Sequence, residues 1–540
     1  MLRPVRTGSA SQSKRKKVKA LLLYPHYPDT FWSFKYALSF ISKRAVHPPL
    51  GLLTVAAMLP REWEKKLVDM NVANLKDQDL RWADYVFISA MAVQKKSVKE
   101  LISRCKDWGL KVVAGGPLFT AAPEDFPEVD HLVLNEAETT LPLFLRDLDG
   151  DTAKHLYTSE SFPNLEKTPV PLWKLLEMKR YVSMNIQYSR GCPFRCEFCD
   201  ITTLFGHQAR TKSASQVLNE LETLYSLGWR GGVFLVDDNF IGNKKKLKVE
   251  VLPAMIDWMK KRKYPFNFAT EASIDLADDE ELIKLMIRTG FDNVFIGIET
   301  PDDQALKECH KFQNTNRDLA NSVERIQKFG LHVRGGFIVG FDSDSPAIFE
   351  RQIEFIQKSK IVTAMVGMLN APRGSRLYER LFKEGRLLKE ATGDNTDFST
   401  NIIPKMGYEK LAEGYRKIVN SIYSPRLYYE RVREFLREYR PPEKRKIHFH
   451  FKYLRWHFFY LVAPFKTLVL LGLKDKARLY YWKLLFWSLF NRPQLLPLAI
   501  TYSIYGFHFR KVFKLNFEID LVKREKGSRL EQSSLPPISV

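Results

Sequence analysis

Cysteine is scarce in this chain. Five in 540 residues, three of them crowded together, do not make the disulfide framework of a secreted scaffold. Long apolar runs are missing too. "WHFFYLVAPFKTLVLLGL" is broken by Pro464 and Lys466 and falls short of the about 20 clean residues a spanning helix needs. The next apolar run is interrupted by Asn491, Arg492 and Pro493. The opening "MLRPVRTGSASQSKRKKVK" has no apolar segment of the kind a secretory signal carries, so a disordered basic arm over 1–16 and a cytoplasmic location are expected. Acid is in deficit. The 62 Asp and Glu against 84 Lys and Arg leave a net charge of +22, which calls for nucleic acid or an anionic membrane surface as a partner.

What is present alternates. Over 17–150, buried-strand runs ("VKALLLY", "WEKKLVDM", "DYVFISA", "KVVAGGP", "HLVLNEAE") are separated by helical patterns such as "PPLGLLTVAAML" and "TTLPLFLRDL". This predicts an α/β, doubly wound, Rossmann-like parallel sheet with its ligand at the carboxyl ends of the strands. The turn "AGGP", with Gly115, Gly116 and Pro117, offers close backbone approach to such a ligand. A polar, Pro-interrupted linker follows over 151–182. A second series over 183–385 gives six β/α units ("SMNIQYS", "GGVFLVDD", "FNFATEAS", "NVFIGIET", "VRGGFIVGF", "VTAMVGMLN") and predicts a (β/α)6 partial barrel of the TIM type. A helical C-terminal region spans 386–440, a basic, aromatic helical region 441–515, and a tail 516–540.

The first barrel strand is followed by "YSRGCPFRCEFCDIT". Cys192, Cys196 and Cys199 form C-x3-C-x2-C, and thiolates are soft ligands for zinc or iron–sulfur clusters. Structural zinc wants a fourth ligand, for which only His207 is near. Three ligands suit a cubane cluster with one iron left open for a small molecule.

At these residues the chain resembles the radical S-adenosylmethionine (SAM) superfamily, with Phe198 in the aromatic position of C-x3-C-x-aromatic-C. The resemblance implies a 4Fe-4S cluster on Cys192, Cys196 and Cys199, with SAM chelated at its open iron. It also implies SAM contacts from Phe198, from Asp237, Asp238 and Asn239 in "VDDNFIGN", from Glu299 in "FIGIET", and from Gly336, Ile338 and Gly340 in "GFIVGFD". Asp342 stands where that last segment usually carries glutamate.

The front region, with "HPPLGLLTVAAMLP" and "AGGP", resembles the cobalamin-binding subclass, which implies cobalamin beside Gly115, Gly116 and Pro117. No D-x-H-x-x-G is present, and the usual "EGE" reads "NEAE". His26 and His47 are the spare imidazoles, and cobalamin without a protein ligand on cobalt is expected. The segments "DFSTNIIPKM", "YSPRLYYERV" and "YYWKLLFWSLFNRP" resemble the branch that includes the hopanoid 2-methyltransferases. The resemblance therefore implies radical C-methylation of an unactivated carbon on a small-molecule or lipid-like, hopanoid-type substrate. It further implies an external electron donor of the flavodoxin or ferredoxin type.

Three alternatives frame this reading. A cobalamin-dependent radical cyclase or carbon–carbon coupling enzyme would share the cofactors without methyl transfer. An RNA methylthiotransferase would need three cysteines in the front domain, which has only Cys105. A zinc-stabilised, non-catalytic membrane adaptor would use the same thiols differently. Over 444–483 there are ten Lys and Arg and one acid, Asp475, interleaved with aromatics. Such a segment suits peripheral contact with the inner face of a membrane, leaving no call for nucleic acid, or else packs a helical subdomain. Trp456, Trp482 and Trp487 are the expected aromatic anchors, and Cys105 and Cys309 are expected to serve packing alone.

Overall fold

The computed structural model describes residues 17–388, 390–441 and 463–533, the last with side chains to Lys514. Two parallel sheets organise it. The first takes the order β2-β1-β3-β4-β5-β6, from β1 (Lys19–Tyr24), β2 (Glu64–Asp69), β3 (Tyr85–Ser89), β4 (Lys111–Gly115), β5 (His131–Val133) and β6 (Leu156–Tyr157). Helices cover both faces, which is why strands such as "KALLLY" are apolar on consecutive residues rather than alternately. The β6 strand lies inside the expected linker: it pairs with β5 and completes the front sheet, a two-residue element too short for periodicity to announce.

The second sheet runs β14-β13-β12-β11-β10-β7, all parallel and in sequence order. Its strands are β7 (Ser183–Ile186), β10 (Gly231–Leu235), β11 (Phe266–Glu271), β12 (Phe291–Glu299), β13 (His332–Val339) and β14 (Ala364–Met368). This is the expected six-strand partial barrel. Between β7 and β10 a small antiparallel pair, β8 (Ser189–Arg190) with β9 (Arg210–Thr211), closes the base of the cysteine loop. Local signals fix the element ends. Ser213 and Gln216 cap the Ala214–Ser226 helix reciprocally, side chain to backbone in both directions, an arrangement worth about 1 kcal/mol.

The C-terminal helices Tyr408–Ile422, Pro425–Glu438, Arg478–Asn491 and Leu496–Ser533 are not a separate body. Tyr415, Tyr428, Tyr481 and Phe509 share one buried core with Ile296 and Val333 of the barrel. The front domain joins it as well. Phe31 stacks on Phe509 with ring centroids 4.2 Å apart, and His508 Nε2 donates to the Phe31 carbonyl at 3.0 Å. All three parts pack as one unit, so the relative placement of their sites is fixed by core contacts.

Candidate active site

The cysteine loop leaves the carboxyl end of β7, where a barrel gathers its functional groups. Gly191 opens it at φ +90°, and a Cβ there would meet three loop carbonyls, the nearest at 2.5 Å, so only glycine makes the turn. Two neighbouring acids brace it. Asp237 at the end of β10 accepts from the Ser189 hydroxyl at 2.7 Å and from the Ser189 backbone N–H, and Asp238 accepts from Gly191 N–H at 3.0 Å. Burial pushes both carboxyls up, Asp237 to about 7 with the charge of Asp238 adding to it and Asp238 to about 6 with that of Asp200, against the hydrogen bonds that stabilise their charged forms. Asn239 is committed elsewhere, pairing with Ser273 after β11 through both its amide and carbonyl groups. Glu271, the last residue of β11, faces the two aspartates; burial and their charge push it to about 7. Sequence reading passed over Glu271, because a strand-end acid carries no motif.

Cys192, Cys196 and Cys199 are free and partly buried. Burial, with the neighbouring thiols adding to it, pushes the Cys192 and Cys199 thiols up. Gln313 Nε2 approaches Cys196 Sγ at 3.6 Å. Among the described residues, no three His, Cys, Asp or Glu side chains are arranged to hold a single metal ion, and His207 is exposed. The soft three-thiol set fits a polynuclear iron–sulfur cluster better than a lone zinc.

The loop is locked from behind. Glu197 accepts a fork of hydrogen bonds from Arg380 on the Arg376–Lys383 helix, at 2.7 and 3.0 Å. Its backbone N–H donates to the Cys309 carbonyl at 2.9 Å, so Cys309 lies against the loop although it is distant in sequence. Phe198 packs near Phe341, with centroids 6.3 Å apart.

Glu299 ends β12 at the same mouth, buried and at φ +65°. Its Oε1 meets Lys311 Nζ at 2.6 Å, a partner that sequence reading missed, and Lys311 in turn lies 5.8 Å from the centre of the Phe198 ring. A Cβ on Gly297 would run into the Glu299 carboxylate and Lys311 Nζ, so that glycine makes room for the pair. On β13, Gly336 lies under the Phe295 ring, and Ile338 packs with the cluster that includes Phe198 and Phe341. Gly340, at φ +106°, is tied by its N–H to Asp344 at 2.8 Å. Asp342 is engaged by Arg386 at 2.6 Å, with Arg380 and Lys405 close by. Its carboxylate thus belongs to the Arg380 network behind the loop.

A cleft of about 1180 Å³, counting space open to solvent, lies between the front sheet and the barrel. Leu52, Val55 and Phe87 form part of one wall, Leu204, Phe205 and Val236 part of the other, and Asn135, Gln187 and Arg190 add polar groups. Gly115, Gly116 and Pro117 line it as expected, but the glycines are demanded by the fold itself. A Cβ on Gly115 would strike the Val133 carbonyl at 2.4 Å, and one on Gly116 the Ser89 hydroxyl at 2.5 Å. Neither His26 nor His47 lines the cleft: the His47 ring stacks against Phe234 and the His26 backbone bonds Ser97. An apolar cleft with amide side chains fits a large, amide-fringed macrocycle.

Comparison with known proteins accords with this layout. The chain matches a B12 binding domain over 40–145, the radical SAM superfamily over 186–356 and a domain of unknown function over 375–518. It is 40% identical to an uncharacterized methyltransferase of Synechocystis sp., covering 97% of this chain and 98% of that one. It is 35% identical to the hopanoid C-2 methylase of Rhodopseudomonas palustris, covering 72% and 75% respectively. Its fold is that of the cobalamin-dependent SAM radical enzyme OxsB, solved with aqua-cobalamin (TM-score 0.59, 15% identity, 95% and 81% covered). The chain belongs to the cobalamin-dependent radical SAM methyltransferase family, whose cofactors are a 4Fe-4S cluster, SAM and cobalamin.

Proposed function

We propose that this enzyme methylates an unactivated carbon of a hopanoid-type lipid. The observation that carries the reading is the 35% identity to a hopanoid C-2 methylase across about three quarters of both chains. When bound, the cluster with SAM supplies a carbon radical able to take hydrogen from an unactivated carbon, and cobalamin supplies a methyl group. The chain's own residues do the positioning. Cys192, Cys196 and Cys199 would hold the cluster, Glu299 and Asp238 would meet SAM at the mouth, and the cleft beside Gly115–Pro117 would hold cobalamin with no protein ligand on cobalt. A flavodoxin- or ferredoxin-type protein would deliver the electron.

Peripheral docking at the inner face of a membrane suits a lipid substrate, and the surface supports it. Eight large apolar side chains over 465–490 are exposed, including Phe465, Leu473, Leu479 and Phe490. Lys474, Lys476, Arg478 and Lys483 stand exposed among them, while Asp475 is paired with Arg510 at 2.7 Å. Anionic lipid complements such a face. Trp482 and Trp487, expected as anchors, instead pack against the core, and Trp456 lies outside the described residues. Among the described residues no helix is long and apolar enough to cross a membrane.

The test is product analysis. Reconstituted enzyme given SAM, a reductant and a desmethyl hopanoid should yield a product heavier by one methyl. Deoxyadenosine formed with a rearranged, unmethylated product would instead establish the cyclase or coupling alternative.

A further inference from the structure

Two arginines flank the cysteine loop, and both reach across to the front domain. Arg190, on β8 two residues before Cys192, donates to Glu136 at 2.5 Å and to Glu138 at 2.8 and 3.0 Å. Arg210, on β9 where the loop returns, donates to the other oxygen of Glu136 at 2.5 Å. The carboxylates sit at the start of the Ala137–Asp149 helix, directly beyond β5. They are the acids of "NEAE", which keeps both glutamates of the usual "EGE" and differs between them, at Ala137. Glu136 and Glu138 are 3% and 6% exposed at the side chain, and Arg190 is 12% exposed. Thr168 closes the set with a 2.7 Å bond to Glu138, and Gln187 takes the Arg190 Nε–H at 2.8 Å.

Position gives this network more than a packing role. Glu136, Glu138, Gln187 and Arg190 all line the cleft, so whatever fills it rests against the same charges that fix the base of the loop. On its barrel side the same base is fixed by Asp237 and Asp238. The loop therefore starts from a point held jointly by the two domains. Fork-to-carboxylate pairing is directional as well as strong, so it sets orientation along with distance.

We propose that Arg190, Glu136 and Glu138 are positioning residues that register the cobalamin cleft against the cluster loop, so that occupancy of one site is coupled to that of the other. The proposal rests on cobalamin occupying this cleft. Coupling between sites is reciprocal: if a filled cleft favours the loop geometry that holds the cluster, a loaded cluster must tighten cobalamin binding by the same factor.

The experiment is a titration of the full-length protein with cobalamin, followed by absorbance, with and without the reconstituted cluster. Wild type should bind cobalamin at least about fivefold more tightly when the cluster is present, the lower end of ordinary coupling. In Glu136→Gln/Glu138→Gln that ratio should fall to about one. A merely structural latch would weaken cobalamin binding equally in both states and leave the ratio unchanged. Should the double variant fail to fold, Arg190→Lys keeps the charge but loses the fork, and its ratio should fall below that of wild type. An unchanged ratio in a folded variant, or a ratio of one in wild type, overturns the proposal. If wild type binds no cobalamin in either state, the assignment of the cleft has failed first and the coupling falls with it.

Discussion

Replacing Glu299 tests the proposed SAM contact most severely, because the pairing with Lys311 that the structure shows must be separated from any bond to SAM. Its carboxylate neutralises Lys311 at 2.6 Å, with side chains only 9% and 11% exposed. Removing one member of a buried pair strands the other charge, so Glu299→Ala should lose about 3–5 kcal/mol of stability before any ligand is considered. A fall in SAM binding by this variant alone would therefore prove little. Glu299→Ala/Lys311→Met removes both charges and should recover most of that loss, since a buried ion pair exchanged for apolar groups is often near neutral. If the carboxylate also bonds SAM, the double variant still lacks one charged hydrogen bond, worth about 1.5–3 kcal/mol, or about a 10- to 150-fold rise in Kd. Urea unfolding reads the first quantity. Equilibrium dialysis of SAM against cluster-loaded protein reads the second. A double variant that binds SAM as wild type does would reduce Glu299 to the partner of Lys311.

Other changes separate the parts of the site. Cys192→Ala, Cys196→Ala and Cys199→Ala should each abolish cluster absorbance and deoxyadenosine formation, and activity surviving in any one would sink the ligand assignment. Cys105→Ala and Cys309→Ala should keep the cluster and lower only the unfolding midpoint, because both thiols are buried in apolar clusters and the Cys309 bond to Glu197 uses the backbone. Arg380→Ala removes the fork on Glu197; with Arg380 about one-third exposed, the loss should be about 1–2 kcal/mol, seen as faster cluster loss to a chelator, and a wild-type rate would dismiss the brace. Leu479→Ser/Phe486→Ser/Phe490→Ser should weaken cosedimentation with anionic liposomes at every salt concentration, each side chain accounting for up to about 1.5–3 kcal/mol of buried area. Added salt should weaken the wild type further, at about 1 kcal/mol per screened Lys or Arg. A wild-type protein that ignores liposomes at all salts would return this face to another use.

Where the chain encodes function locally, sequence alone carried the reading. The three cysteines and Phe198 lie within one short loop, their chemistry follows from residue type and spacing, and both sheets follow from runs of apolar strand residues. What stayed hidden joins residues far apart. Glu197 and Arg380 are separated by 183 positions, and Arg190 and Glu136 by 54. No local pattern links a charge to a partner that only the folded chain supplies. The glycines of "AGGP" line the cleft, and the space a Cβ would need there is taken by Val133 and Ser89 of the same domain. A glycine in sequence reports that something comes close, without saying what.

The same limit explains the acids and the aromatics. The polar residues of "VDDN" part company in the fold: Asp237 and Asp238 accept from Ser189 and Gly191 of the loop, and Asn239 pairs with Ser273. Of these, Asp238 stands with Glu271 and Glu299 at the barrel mouth, the two glutamates ending their strands and Asp238 three residues beyond the end of its own. Over 463–514, helical spacing divides the apolar residues between two faces. Tyr481 and Leu484 turn into the core, while Leu479, Phe486 and Phe490 turn out, an arrangement composition alone does not resolve. A core-facing stripe needs no further explanation, but the outward one does. Turning this much aromatic and aliphatic surface to water is costly unless something covers it, and the cations beside it are suited to anionic lipid. The membrane reading therefore rests on which residues face outward rather than on how many the segment contains.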